Sequence, residues 1–317
     1  MLNRRRFVAQ AFTAGVGASV LPGGLALAEV ADGGSTVGVP HVSFPATARE
    51  RIAVASYPFR NFIGDARAAG PKARIELKDF AAHVKARFNV NKIEPWTGHF
   101  PSTDPKYLEQ FRASVAKAGG FIVNIAVDGE ASPYAADRAE REKAVAYSKS
   151  WADAAKALGS PSIRTNIPAA KDSKPDLGRA AESLARVAEY AASRNVVVHL
   201  ENDNPESENP FFLVQLIEKV NSPWLHALPD FANSLAGGIP NAYEGIDGMF
   251  GKAYGICHVK AGEADSAGKM VSVDMAKTFG YLKAHSYAGY CSMEFDSDGD
   301  PYSGTASLIE TTLKYLA

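Results

Sequence analysis

One alternation constrains this chain more than any other feature. From Arg51 onward, short β-rich runs trade places with longer segments of helical spacing, eight times over. The strand candidates are Ile52–Ser56, Lys92–Trp96, Phe121–Val127, Ser162–Asn166, Val196–Glu201, Leu225–Asp230, Tyr254–Lys260 and Tyr290–Phe295. Most are rich in Val, Ile, Phe and Tyr, as strands buried on both faces should be. The sixth is the weakest, because Pro229 sits inside it.

The segments between them carry the other period. Leu77, Phe80, Ala81, Val84 and Phe88 fall on one helical face, and so do Leu177, Ala181, Leu184, Val187 and Ala191. Ala139 to Leu158 reads as a long Ala-rich helix, with Gly159 placed as a left-handed C-cap. Helices also fit Pro105–Ala118, Pro210–Val220, Val273–His285 and Ser303–Leu316. Eight strand–helix repeats imply a parallel sheet with right-handed crossovers. In about 265 residues they fit a closed α/β structure, a single-domain (β/α)8 barrel. An open doubly wound sheet would carry a Gly-rich loop after its first strand. Here that strand runs into Ser56-Tyr57-Pro58-Phe59-Arg60.

The N-terminus reads as an address. Asn3-Arg4-Arg5-Arg6-Phe7-Val8 precedes a weakly apolar run, and Ala26-Leu27-Ala28 offers a small-x-small cleavage site. The paired arginines resemble the twin-arginine export motif. The expectation is a signal over residues 1–28, a tether over 29–50 and the barrel over 51–317. The twin-arginine export machinery would be a partner, and the destination periplasmic or otherwise exported. A membrane anchor needs about 20 mostly apolar residues. Gln10, Thr13, Ser19 and Pro22 interrupt this run, so no stable span is expected after processing.

Composition narrows the function classes. Apolar residues at 46% and charged residues at 22% exclude a disordered chain. A net charge of −1 argues against nucleic acid as partner. Removing residues 1–28 takes away three arginines and no acids, which makes the remainder −4. Two cysteines exclude a disulfide scaffold and a cysteine-rich zinc module.

In a barrel, chemistry sits at the C-terminal ends of the strands. The last four strands end in His199-Leu200-Glu201-Asn202, Asp230-Phe231-Ala232-Asn233, His258-Val259-Lys260 and Glu294-Phe295-Asp296. Glu201, Asp230, His258 and Glu294 thus arrive about one βα unit apart on one rim. Three carboxylates and an imidazole form a hard O/N donor set. It suits one divalent metal ion, Mn²⁺ first, with Mg²⁺, Co²⁺ or Zn²⁺ as alternatives. Without a cation, carboxylates so crowded would repel one another or take up protons.

Those four strand ends resemble the xylose isomerase-like TIM barrels, and within them the sugar phosphate isomerase/epimerase group, from roughly Arg51 to the C-terminus. The order Glu, Asp, His, Glu is similar to the single-metal site of ketose 3-epimerases. The resemblance implies that Glu201 and Glu294 are both metal ligands and the catalytic acid/base pair, with Asp230 and His258 as ligands only. It implies a small carbohydrate substrate and proton abstraction next to a carbonyl. Such chemistry needs a cation for the enediolate charge and two groups that move the proton. Two departures stand out. Asn233 takes the place of a His, and Lys260-Ala261-Gly262-Glu263-Ala264-Asp265 replaces a loop that carries an Arg. They keep a second reading open, dehydration or β-elimination on a keto-glycoside or keto-inositol. An exported enzyme argues for a non-phosphorylated sugar.

Further residues are candidates for substrate contact: Glu94, His99, Asn166, His199, Asn233 and Lys260. Trp96 is a candidate stacking face. Arg164 serves equally well as a counter-charge or a structural ion pair. Tyr57, Phe59 and Phe62 are candidates for the substrate mouth or for a subunit contact in a homo-oligomer. Cys257 and Cys291 alternate outward from the inward ligands and are expected as buried free thiols. Two other classes compete: a non-catalytic sugar-binding barrel, and an endonuclease IV-like phosphodiesterase. The latter needs more rim histidines than the seven in this chain provide.

Overall fold

Eight barrel strands form where the apolar runs place them, one of them in two pieces. The computed structural model describes residues 38–64 and 75–317, so the expected export signal lies outside the described residues. Val37–Ala317 form one compact unit. The strands are β1 (Ile52–Ala55), β2 (Lys92–Glu94), β3 (Phe121–Ile122), β4 (Ile125–Val127), β5 (Ser162–Thr165), β6 (Val197–Glu201), β7 (Leu225–Leu228) and β8 (Ile256–Val259). A hairpin follows, β9 (Gly262–Ala264) and β10 (Met270–Ser272), and then β11 (Tyr290–Met293). β3 and β4 are one barrel position, interrupted at Val123-Asn124.

All barrel pairs are parallel, in two arcs ordered β3-β2-β1-β11-β8 and β4-β5-β6-β7. Isolated bridges close the ring at two seams: Trp96 opposite Ala126 at one, and Ala227 opposite Ala253 and Asp230 opposite His258 at the other. At the second seam the His258 amide donates to Pro229 O, and the Phe231 amide donates to His258 O. β7 stops at Leu228, one residue before Pro229, which has no amide to donate.

The helices are α1 (Phe80–Phe88), α2 (Pro105–Lys117), α3 (Arg138–Leu158), α4 (Leu177–Ala192), α5 (Pro210–Val220), α6 (Asn233–Ala236), α7 (Ala242–Phe250), α8 (Met275–Ala284) and α9 (Pro301–Leu316). Capping chemistry explains their ends. Asp137 accepts the Ala139 amide at the start of α3, and Gly159 at φ 76° ends it. Asn209 and Pro210 open α5, and Asn221 at φ 47° closes it. α6 and α7 have no clear signal in the sequence, because glycines dilute the helical pattern of α7. Gly245 is there for packing: a Cβ on it would come within 2.5 Å of Pro210 Cγ, where α7 crosses α5.

The two ends of the barrel differ. At the N-terminal end, Ala53, Val123, Leu228, Ile256 and Tyr290 form a small apolar cluster against which Phe44 packs. Phe44 meets the rings of Tyr254 and Tyr290 edge-on at 5.4 and 5.7 Å. Trp224 Nε1 donates to Gly38 O at 2.5 Å. Residues 38–50, expected as a tether, therefore lie docked on the barrel's base, because Phe44 supplies an apolar side chain that the open base can bury. Cys257 and Cys291 are register partners on β8 and β11, both free and buried, with sulfurs 3.8 Å apart.

Candidate metal centre and its cavity

At the opposite end, β6, the turn after β7, β8 and the residue after β11 deliver Glu201, Asp230, His258 and Glu294. One ligand atom from each lies within 4.8 Å of the others, and all four residues are buried. Asp230 is the most telling. Its Oδ1 accepts the amides of Ala232 at 2.8 Å and Asn233 at 2.7 Å. Asn202 fixes its backbone, accepting the Asp230 amide at 2.8 Å and donating to Asp230 O at 3.1 Å. Its Oδ2 is fully buried and has no hydrogen-bond partner among the described residues; the cation beside it is Lys260 Nζ, 3.7 Å away. Burial raises the Asp230 carboxyl to about 8, with Lys260 pulling it back and Glu201 adding to the rise. Buried acceptors are normally satisfied. A buried carboxylate oxygen without a hydrogen bond, grouped with three other donors, fits a cation.

His258 sits among carboxylates. Its Nδ1 lies 2.7 Å from Glu201 Oε1 and 3.0 Å from Glu294 Oε2. Its Nε2 lies 3.0 Å from Glu94 Oε2. Burial opposes the imidazolium, but Glu201, Glu294 and Glu94 outweigh it and hold His258 well above the usual histidine value. Glu94 is itself fixed, accepting from Asn124 Nδ2 at 2.7 Å and Ser292 Oγ at 2.6 Å. Burial would raise its carboxyl, yet His258 and the Ser292 hydrogen bond take it below the ordinary range. Glu294 is likewise low: burial opposes its charge, and His258 and Lys260 overcome that. An imidazole whose Nε2 is tied to a carboxylate presents Nδ1 as its ligand atom.

A cavity of about 130 Å³ opens over this cluster. Tyr57 and Trp96 meet edge-on at 5.2 Å on one side. Lys260 and Asn233 stand on another: Lys260 Nζ donates to Asn233 Oδ1 at 2.6 Å and Glu263 Oε2 at 2.9 Å, and lies 3.4 Å from Glu294 Oε2. Asn233 Nδ2 reaches Glu201 Oε1 at 3.4 Å. Arg164 pairs with Asp128 and, at 2.9 Å, with Glu201 Oε2. The cavity is smaller than the roughly 300–1,000 Å³ of drug-sized sites, so it takes a small molecule.

The other expected contacts separate. Glu94 reaches the cavity wall, but its oxygens are engaged by His258, Asn124 and Ser292. His99 lies fully buried behind Trp96, with Nδ1 2.9 Å from Ser56 Oγ. Asn166 bonds the backbone of Gly129 in both directions and stands outside the cavity. His199 is two residues down β6 from Glu201, about 6.6 Å toward the base. There its Nε2 accepts the Gly255 amide at 3.2 Å, and burial pushes its pKa down to about 3. Of the first-loop aromatics only Tyr57 lines the cavity; Phe59 is buried against Phe80 and Tyr302, and Phe62 packs on Tyr302.

Four cavity carboxylates escaped sequence reasoning: Asp128, Asp203, Glu263 and Asp296. Three had a signal. Asp128 directly follows β4, and Asp203 and Asp296 lie two residues beyond Glu201 and Glu294. Glu263 reaches the cavity only because of the β9–β10 hairpin.

A family model for xylose isomerase-like TIM barrels matches residues 83–316. Several solved structures share the fold. An L-ribulose 3-epimerase is 19% identical with a TM-score of 0.66, covering 84% of this chain and 95% of its own. A xylose isomerase-like TIM barrel protein from Mycobacterium smegmatis, in complex with magnesium, is 16% identical with a TM-score of 0.64, covering 86% and 99%. A D-allulose 3-epimerase from Methylomonas sp. is 17% identical with a TM-score of 0.63, covering 86% and 100%. No curated protein matches the sequence. No described helix is long and apolar enough to cross a membrane.

Proposed function

Because this chain belongs to the xylose isomerase-like TIM barrel family, we propose that it is a divalent-metal-dependent sugar isomerase or epimerase acting next to the carbonyl of a small, non-phosphorylated sugar. The observation that carries the proposal is the buried Oδ2 of Asp230, without a hydrogen bond among the described residues, within a four-residue O/N donor set. The 3-epimerases among the solved structures of this fold support the substrate class.

Glu201, Asp230, His258 and Glu294 would hold the cation, with Mn²⁺ the best match and Mg²⁺, Co²⁺ or Zn²⁺ also compatible. The cation would act as a Lewis acid for the oxyanion formed when a proton leaves the neighbouring carbon. Glu201 and Glu294 approach the cavity from strands separated by β7 and β8, so a sugar lying between them meets a carboxylate on each side. One takes the proton and the other returns it. Arg164 keeps Glu201 in place, and Lys260 favours the ionised form of Glu294. Glu94 orients His258, and Trp96 and Tyr57 offer apolar ring surface to a sugar face.

A second reading keeps the same proton abstraction but ends in β-elimination from a keto-glycoside or keto-inositol. It draws on Lys260, a cationic donor 3.4 Å from Glu294 Oε2, which can meet a departing oxygen. The test is incubation of metal-loaded protein in D₂O with ketoses, keto-glycosides and inosose, alongside metal analysis. Deuterium uptake next to the carbonyl with one metal per chain is expected, and the products separate epimerisation from elimination. No uptake on any compound, or no bound metal, overturns the proposal. Export by the twin-arginine route belongs to the same reading; cell fractionation tests it, and a purely cytoplasmic, unprocessed protein would refute it.

A further inference from the structure

Among the cavity's carboxylates, one stands apart. Glu94, Glu201 and Glu294 are engaged with His258. Asp128 is held by Arg164 and by Trp96 Nε1, Glu263 by Lys260, and Asp296 by Arg60 at 2.8 Å. Asp203 lines the same cavity, exposed to solvent, and its side chain makes no hydrogen bond or ion pair with any described residue. Both basic side chains on the wall, Arg164 and Lys260, are committed to other acids.

The position of Asp203 is built. Its amide lies against Glu201 O at 3.1 Å. The next residue, Asn204, is clamped by Glu208, a buried carboxylate with no ion pair among the described residues. Glu208 Oε2 accepts the Asn204 amide at 2.9 Å, and Oε1 accepts the Ile167 amide at 2.6 Å beyond β5. Asn204 Oδ1 in turn accepts the Glu206 amide at 3.0 Å. A buried acid is thus spent on fixing the loop that presents Asp203. Around it lie Glu201 and Asp128, which are also acceptors, and Arg164 and Lys260, whose charges are taken up by other acids. An exposed acceptor fixed at the wall of a cavity rich in carboxylates is open to a ligand that brings donors, and a ligand bringing negative charge meets more carboxylates there than cations, both of which are already paired.

We propose that Asp203 binds sugar hydroxyls outside the cation cluster, and that it makes the cavity select neutral, polyhydroxylated sugars over those bearing a phosphate or carboxylate at that end. The proposal rests on the reading of the cavity as a sugar site. Calorimetric titration of metal-loaded wild type, Asp203→Asn and Asp203→Ala with a ketohexose and its 6-phosphate tests it, beside deuterium exchange. Wild type should bind the neutral sugar at least tenfold tighter than the phosphate. Asp203→Ala should weaken neutral-sugar binding and raise KM about tenfold, with a smaller effect on kcat. Both variants should lose most of the discrimination while keeping the metal content. Tighter binding of the phosphate to wild type, or variants whose two affinities stay within twofold of wild type, overturns the proposal. If discrimination appears without deuterium exchange on any sugar, the isomerase reading fails and the assignment of Asp203 stands.

Discussion

Two fully buried histidines on neighbouring parts of the barrel wall have opposite electrostatic fates. His199 faces the base, where burial dominates and the ring is held neutral, its pKa down to about 3. His258 faces the rim, where three carboxylates overcome the same burial. The difference lies in what stands across from each ring. At the base it is a backbone amide beneath an apolar cluster closed by Phe44; at the rim it is Glu94, Glu201 and Glu294. One end of the barrel is arranged for stability and the other for charge, a division usual for this architecture.

That division can be broken one residue at a time. The largest effect should come at the rim. Glu201→Gln and Glu294→Gln are each expected to cut turnover by about 10²- to 10⁴-fold with the far-UV spectrum unchanged. Near-normal rates in either would sink the acid/base assignment. Next comes His258→Ala, which leaves Glu94 buried without its imidazole. Chemical denaturation of the metal-free protein should show a loss of about 3–5 kcal/mol. Glu94→Gln keeps the ligands and removes only their support, so metal titration should show affinity down by about 10- to 100-fold.

The base should answer to different probes. Below about pH 6.5 an unfolded chain protonates His199, while the folded chain resists until about 3. The unfolded state then binds more protons, so this contribution falls as pH drops through that window. His199→Gln keeps an acceptor for the Gly255 amide, and denaturation at a series of pH values should show a shallower acid limb. The smallest effect should be Phe44→Ala: about 1–2 kcal/mol of stability, as fits a partly buried ring, with turnover intact. A catalytic loss from either base variant would show that the two ends are coupled.

Much of this was legible in the sequence because it is periodic. Strand ends recur about every βα unit, so Glu201, Asp230, His258 and Glu294 announce themselves together. Loops carry no period. Glu263 enters the cavity through a hairpin whose strands are three residues each, too short to signal. Alternation also says which face a residue takes, not how far along the barrel it sits, so it groups His199 with a rim that His199 does not reach. α7 was hidden by the glycines that let it pack closely, as Gly245 does against Pro210.

The two seams give the donor set a mechanical meaning. Glu201 and Asp230 belong to the arc from β4 to β7, whereas His258 and Glu294 belong to the arc that contains β8 and β11. One seam runs between Asp230 and His258 themselves. A cation gripped by all four would work as a rivet between two half-shells that are otherwise joined there by a few backbone hydrogen bonds. Stripping it by chelation should then speed amide exchange at His258 and Phe231, the seam's own donors, before the interior of either arc loosens.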